Sequence, residues 1–173
     1  LDLFGNAHAH RVEALARQVS RHAELASTLT EIWLLAGRGI DAGLSSLASS
    51  RNAESVLLWA YATSRVLDPR SVLEKLDAVQ TGTLPEGLRL AVLVARVELA
   101  VASGDWQRAE LAVLRLRASG DSPAALRARA RALRSIQDID AAEREITAYF
   151  ALPALSAGAD DLLLAADIRA RSG

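Results

Sequence analysis

The sequence predicts an all-α protein, and three observations carry the prediction. Ala and Leu account for 35 and 29 of the 173 residues; both, with Arg and Glu, are strong helix formers, while β-branched residues are few. Apolar positions recur at helical spacing. Val56, Trp59, Ala60, Thr63, Val66 and Leu67 draw one stripe, and Leu93, Val97, Ala100 and Val101 draw another. No segment alternates apolar and polar residues over a strand length, and Gly, Pro, Ser and Asp clusters cut the chain into helix-length pieces.

Taken in order, helices are expected over 8–20, 23–37 and 40–49, the last two divided by Gly37–Arg38–Gly39. Ser49–Ser50 precedes a helix over 52–67, and Asp68–Pro69 leads into one over 70–80. The Thr81–Gly87 stretch, with Pro85, opens a helix over 86–103. Ser103–Gly104–Asp105 pairs a Gly stop with an Asp cap and starts the helix over 106–118. Ser119–Gly120–Asp121–Ser122–Pro123 does the same for 123–136, with Pro123 suited to the first helical turn. Gln137–Asp138 begins the helix over 139–151, and the segment from Pro153 to Gly158 precedes a last helix over 159–171, where Asp160–Asp161 suits a capping role. Trp59 and Trp106 fall on apolar stripes and are expected in the core. Trp33, in Ile32–Trp33–Leu34–Leu35, sits in a helix apolar nearly all round, which reads as either the centre of a stack or an interface.

Composition excludes several function classes. Without Cys there is no disulfide framework, thiolate metal site or Cys nucleophile. A formal net charge of −1 lacks the positive excess that nucleic acid or an anionic membrane surface requires. The longest apolar stretch, Leu88 to Ala102, is interrupted by Arg89, Arg96 and Glu98, so no membrane span is expected, and no signal-peptide pattern is present. His8, His10 and His22 lack a third ligand at sensible spacing, so no metal is expected. Nucleotide-binding glycine loops, G-x-S-x-G and H-E-x-x-H are all missing, which points away from catalysis and from a cofactor. The absence of Met gives the expectation of a fragment of a larger protein, folded as one domain over 1–173.

The tight turns fall near residues 38, 68, 104 and 137, a period of roughly 34 residues that signals stacked helical hairpins. Gly104–Asp105–Trp106–Gln107–Arg108–Ala109 resembles the turn and second-helix start of a tetratricopeptide repeat. Gln137–Asp138–Ile139–Asp140–Ala141–Ala142 repeats it, matching Ala109 with Ala142, Trp106 with Ile139 and Val113 with Ile146. The resemblance covers roughly 90–154 and is degenerate upstream, where Arg38–Gly39–Ile40–Asp41–Ala42–Gly43 is a candidate earlier copy. Arg96 and Arg129 depart from it, standing where that family prefers a large apolar residue. The resemblance implies an α-α superhelix of three to four hairpins with a capping helix at 159–171.

It also implies a concave groove lined by the first helix of each hairpin, where a protein or peptide partner would lie. Carried onto this chain, that groove takes Arg127, Arg131 and Arg134, which spacings of four and three put on one helical face beside Leu126, Ala130 and Leu133. Two readings of the Arg ridge stand open: an anchor for a carboxylate-rich segment through bidentate hydrogen bonds, or a solvated face paired with acidic groups such as Glu143 or Glu145. Upstream, Val94, Glu98 and Val101 occupy matching positions, and Leu58, Tyr61 and Arg65 share a face farther along. The leading functional expectation is a non-catalytic protein–protein interaction scaffold. Two alternatives are an assembly domain of a membrane-anchored bacterial polysaccharide synthesis or secretion complex, which the resemblance implies, and a helical ligand-sensing domain of a regulator. The first alternative carries with it a cytoplasmic location, a tether to the inner membrane outside this chain, and homo-oligomerisation through the Trp33 region.

Overall fold

The computed structural model describes residues 53–64, 67–153 and 157–172, which form seven helices and no strand. They are α1 (Ala53–Thr63), α2 (Pro69–Asp77), α3 (Glu86–Ala102), α4 (Trp106–Arg117), α5 (Pro123–Ser135), α6 (Ile139–Phe150) and α7 (Ala159–Ser172). Each matches an expected helix to within a few residues, and the described part of the chain is all-α. The helices expected over 8–20, 23–37 and 40–49 lie outside the described residues, as do Trp33 and the three histidines.

Local chemistry accounts for where the helices start. The carboxylates of Asp68, Asp105 and Asp138 accept the third backbone N–H of α2, α4 and α6 at 3.2, 3.1 and 3.3 Å, and the Ser122 hydroxyl does the same for α5 at 3.1 Å. The two turns that close α3–α4 and α5–α6 are copies of one another. In the first, Gly104 N–H donates to Val101 O at 3.0 Å and Asp105 N–H to Ala100 O at 2.8 Å. In the second, Gln137 N–H donates to Arg134 O at 3.1 Å and Asp138 N–H to Leu133 O at 3.0 Å. Both turns need a left-handed residue, and Gly104 (φ 75°) and Gln137 (φ 63°) supply it. Gln137 carries a Cβ into that conformation, so Gln137→Gly is expected to stabilise the chain by up to about 1 kcal/mol, read from urea unfolding.

The hairpins α3–α4 and α5–α6 hold the most extensive helix pairings, and α3 also packs on α1, α2 and α5, while α5 packs on α4 and α7. Odd-numbered helices thus pack on one another in succession; among the described residues the even-numbered ones pack mainly on them. The core runs through the stack from Val56 and Trp59 to Leu73, Leu76, Val97, Leu116, Leu133, Ile146 and Ile168. Ala109 and Ala142 are fully buried at the hairpin crossings, where only a small side chain lets two helices approach closely.

Arg96 and Arg129, at equivalent positions of α3 and α5, are each only 5% exposed. Arg96 Nη2 donates to the carbonyls of Leu76, Asp77 and Val79 at 2.9, 3.3 and 2.8 Å, and its Nε lies 3.2 Å from the Asp77 carboxylate. It therefore closes the C-terminal end of α2, whose last carbonyls have no intrahelical donor. Arg129 does the same past the end of α4, donating to the Gly120 carbonyl and to Asp121 at 2.8 Å, and it reaches Glu145 of α6 at 2.9 Å.

Of the two tryptophans expected in the core, Trp59 is 8% exposed, with the Lys75 ammonium 4.8 Å from the centre of its ring. Trp106 is 50% exposed and is a correction: it opens α4, one position after the Asp105 cap, before the helix turns its apolar stripe inward. Leu67 is likewise exposed, since it follows the end of α1 rather than extending it. Trp59→Ala is expected to cost about 3–5 kcal/mol in denaturant unfolding and Trp106→Ala about 1 kcal/mol or less. Arg96→Met and Arg129→Met are each expected to cost about 1–3 kcal/mol, because the first removes the donor to the Asp77 and Val79 carbonyls and the second the donor to Gly120 and the partner of Glu145.

Candidate partner-binding face

The residues expected to line a groove sit mainly on α1, α3, α5 and α7. Tyr61 of α1 is 41% exposed, while Leu58's side chain and Arg65 lie outside the described residues. Glu98 of α3 meets Arg131 of α5 in a two-point contact, Nε to Oε1 at 2.6 Å and Nη2 to Oε2 at 3.2 Å. Burial raises the Tyr61 hydroxyl above its ordinary pKa and the Glu98 charge adds to that, with Arg131 opposing. Arg131 in turn feels the carboxylate of Asp160 on α7. Tyr61, Glu98, Arg131 and Asp160 come one from each of four successive odd-numbered helices, with the Glu98–Arg131 pair as the direct contact among them.

The other two ridge arginines are also paired. Arg127 Nε lies 2.6 Å from Asp161 Oδ1, and Arg134 Nη1 donates to Asp167 Oδ2 at 2.8 Å. Asp167 also accepts from Arg171 at 3.1 Å. The expected acidic partners differ from those found: Glu145 pairs with Arg129, and the ridge takes its carboxylates from α3 and α7 instead. Each ridge guanidinium commits one or two of its five N–H donors to these pairs and stays partly exposed. The surface is therefore a lattice of alternating charge, with the arginines held in place from below by neighbouring helices.

Val94 corrects the sequence expectation: it is 4% exposed, packed within the core, and offers no surface to a partner. Val101 is half-buried and packs against the same core. The positions differ because α3 is covered on several sides, by α1, α2, α4 and α5, so little of its circumference faces outward.

Asp161 is the feature that spacing did not reveal. It is buried at the start of α7, where Oδ2 accepts the Gly158 N–H and the Tyr149 hydroxyl, both at 2.9 Å, while Oδ1 holds Arg127. The expected capping role holds, and the same carboxylate also ties α7 to α6 and α5. Burial alone would raise its carboxyl, but the Gly158 N–H, the Tyr149 hydroxyl and Arg127 outweigh it and hold the group below the ordinary carboxylate range. A carboxyl with a lowered folded-state pKa stabilises the fold above its unfolded value of about 3.9 and loses that contribution as pH falls through the folded value. Stability measured by urea unfolding below about pH 5 is therefore expected to fall more steeply for the wild-type chain than for Asp161→Asn.

Beyond this face, a polar cleft of about 420 Å³ lies between α4, α5 and α6, lined by Arg117, Asp121, Arg129, Arg144 and Glu145. Among the described residues no cluster of His, Cys, Asp or Glu has metal-binding geometry, and no helix is long and apolar enough to cross a membrane. No family model, curated protein or solved structure matches the chain.

Proposed function

We propose that the chain is a non-catalytic interaction scaffold of the tetratricopeptide-like superhelical type, which captures a segment of a protein partner across α1, α3, α5 and α7. The observation that carries this reading is the row Tyr61–Glu98–Arg131–Asp160 with its flanking Arg127 and Arg134. Glu98 and the three arginines remain partly exposed and are oriented by ion pairs that leave most guanidinium donors uncommitted. The copied turns at Gly104 and Gln137 and the equivalent buried Arg96 and Arg129 support the repeat architecture.

On such a lattice the partner is recognised by pattern rather than by net charge. Carboxylates of an extended or helical segment meet Arg127, Arg131 and Arg134, while a donor group meets Glu98 or Asp160, and the Tyr61 ring supplies an apolar contact. Preoriented guanidinium groups lose less side-chain entropy on binding than free ones, which favours this surface over isolated exposed arginines.

The test is Arg131→Gln combined with Arg134→Gln. These partly exposed pairs contribute little to folding, so stability is expected to change by about 1 kcal/mol or less per pair. Capture of the partner recovered by the wild-type chain is expected to weaken at least about tenfold. Unchanged capture with intact helicity removes the ridge from the mechanism.

A further inference from the structure

The helix α7 has a face that the other described helices leave uncovered. Asp161, Ala165 and Ile168 of α7 are buried against the core, with Leu164 packed beside them. On the opposite side of the helix, Ala159, Leu162, Leu163, Ala166 and Ala170 are all exposed, and Leu162 and Leu163 reach 58% and 68%. Leu163 is the most exposed large apolar side chain among the described residues. α7 carries a continuous apolar stripe from its first turn to its last.

The charges around that stripe are distributed by position along the helix. Asp160 and Asp161 occupy the first turn of α7, and Arg169 and Arg171 the last. Helical spacing puts Asp160 and Arg171 on the same flank of the stripe, one near each end. A parallel two-fold copy would set this flank against the opposite one, so that Asp160 and Arg171 would not meet across the pair. An antiparallel copy sets Asp160 of each chain against Arg171 of the other, twice, and also opposes the two helix dipoles favourably. Among the described residues Asp160 has no ion-pair partner within its own chain, and Arg171 is half-exposed beside its contact with Asp167.

We propose that α7 is a self-association surface, which pairs antiparallel with α7 of a second copy of this chain about a two-fold axis near residues 165 and 166. The interface is isologous, as a two-fold contact requires. Leu162 and Leu163 of both copies form its apolar centre, Ala159, Ala166 and Ala170 allow close approach of the helices, and the two Asp160–Arg171 pairs set the direction. The pairing shares Asp160 with the proposed capture row, and the substitutions at Leu162 and Leu163, which lie outside that row, test it separately.

Sedimentation velocity on the full 173-residue chain over micromolar to sub-millimolar concentration is expected to show a concentration-dependent dimer. Leu162→Glu with Leu163→Glu is expected to weaken the dimer at least about tenfold without loss of helicity, while the matched control Leu111→Glu with Leu114→Glu on exposed α4 positions leaves it unchanged. Direction is read by charge exchange: Asp160→Arg weakens the dimer, and adding Arg171→Asp restores it. Because the chain contains no Cys, single cysteines give a second readout that does not depend on a destabilising change. Under mild oxidation Ala166→Cys, beside the two-fold axis, forms a cross-linked dimer and Ala170→Cys does not. A monomer at every concentration overturns the proposal, and so does a dimer that survives the paired Leu substitutions. Cross-linking through both cysteines, the signature of a parallel pair, overturns it as well.

Discussion

A helix that ends inside a protein leaves its last carbonyls without donors, and stacking one hairpin on the next buries such ends at every junction. Arg96 and Arg129 answer that constraint. Arg96 reaches from the middle of α3 to the end of α2 and Arg129 from the middle of α5 to the turn after α4, and each also meets a carboxylate. An apolar residue at either position would fill the space and remove the donor to the Asp77 and Val79 carbonyls or to the Gly120 carbonyl. Each guanidinium meets both a carbonyl and a carboxylate of neighbouring elements, which offsets the cost of burying its charge.

The same residue type does different work a turn away. Arg127, Arg131 and Arg134 sit on the side of α5 that remains partly exposed, and their carboxylate partners come from α3 and α7. Whereas Arg96 and Arg129 join each helix to the hairpin behind it, these three join α5 to the odd-numbered helices on either side. They also keep donors in reserve. These contacts tie α5 to α3 and α7 while leaving part of each guanidinium open to solvent.

The positions of the described helices were legible because their signals are local: Asp68, Asp105, Ser122 and Asp138 cap their own helices, and the apolar stripes of α1, α3 and α5 recur at helical spacing. The crossing points at Ala109 and Ala142 were legible for a similar reason, since a small residue at a repeated position marks close approach. Trp106 shows where this logic stops. Its spacing matches the core stripe of α4, but a residue in the first turn has one side open to the loop before it, and only the packing of neighbours decides whether that side is covered. Val94 errs in the opposite direction, because α3 lies at the centre of the described stack and is covered even where its sequence suggests an outer face. The roles of Arg96 and Arg129 left one trace, their separation by the same interval as the turns, which read as a departure from an apolar pattern until the carbonyls around them were known.

Composition, helical period and capping residues by themselves determined that the described part of this chain forms helices, where those helices begin, and that two of its turns repeat. Those properties depend on each residue and its near neighbours, so they are written in order along the chain. Tertiary structure alone decided which arginines are buried, which carboxylates hold the others, and which face of α7 stays open. Pairs such as Glu98 with Arg131 and Arg134 with Asp167 lie a full repeat apart. Helical spacing orders side chains around one helix, and only the packing of helices brings two such faces together.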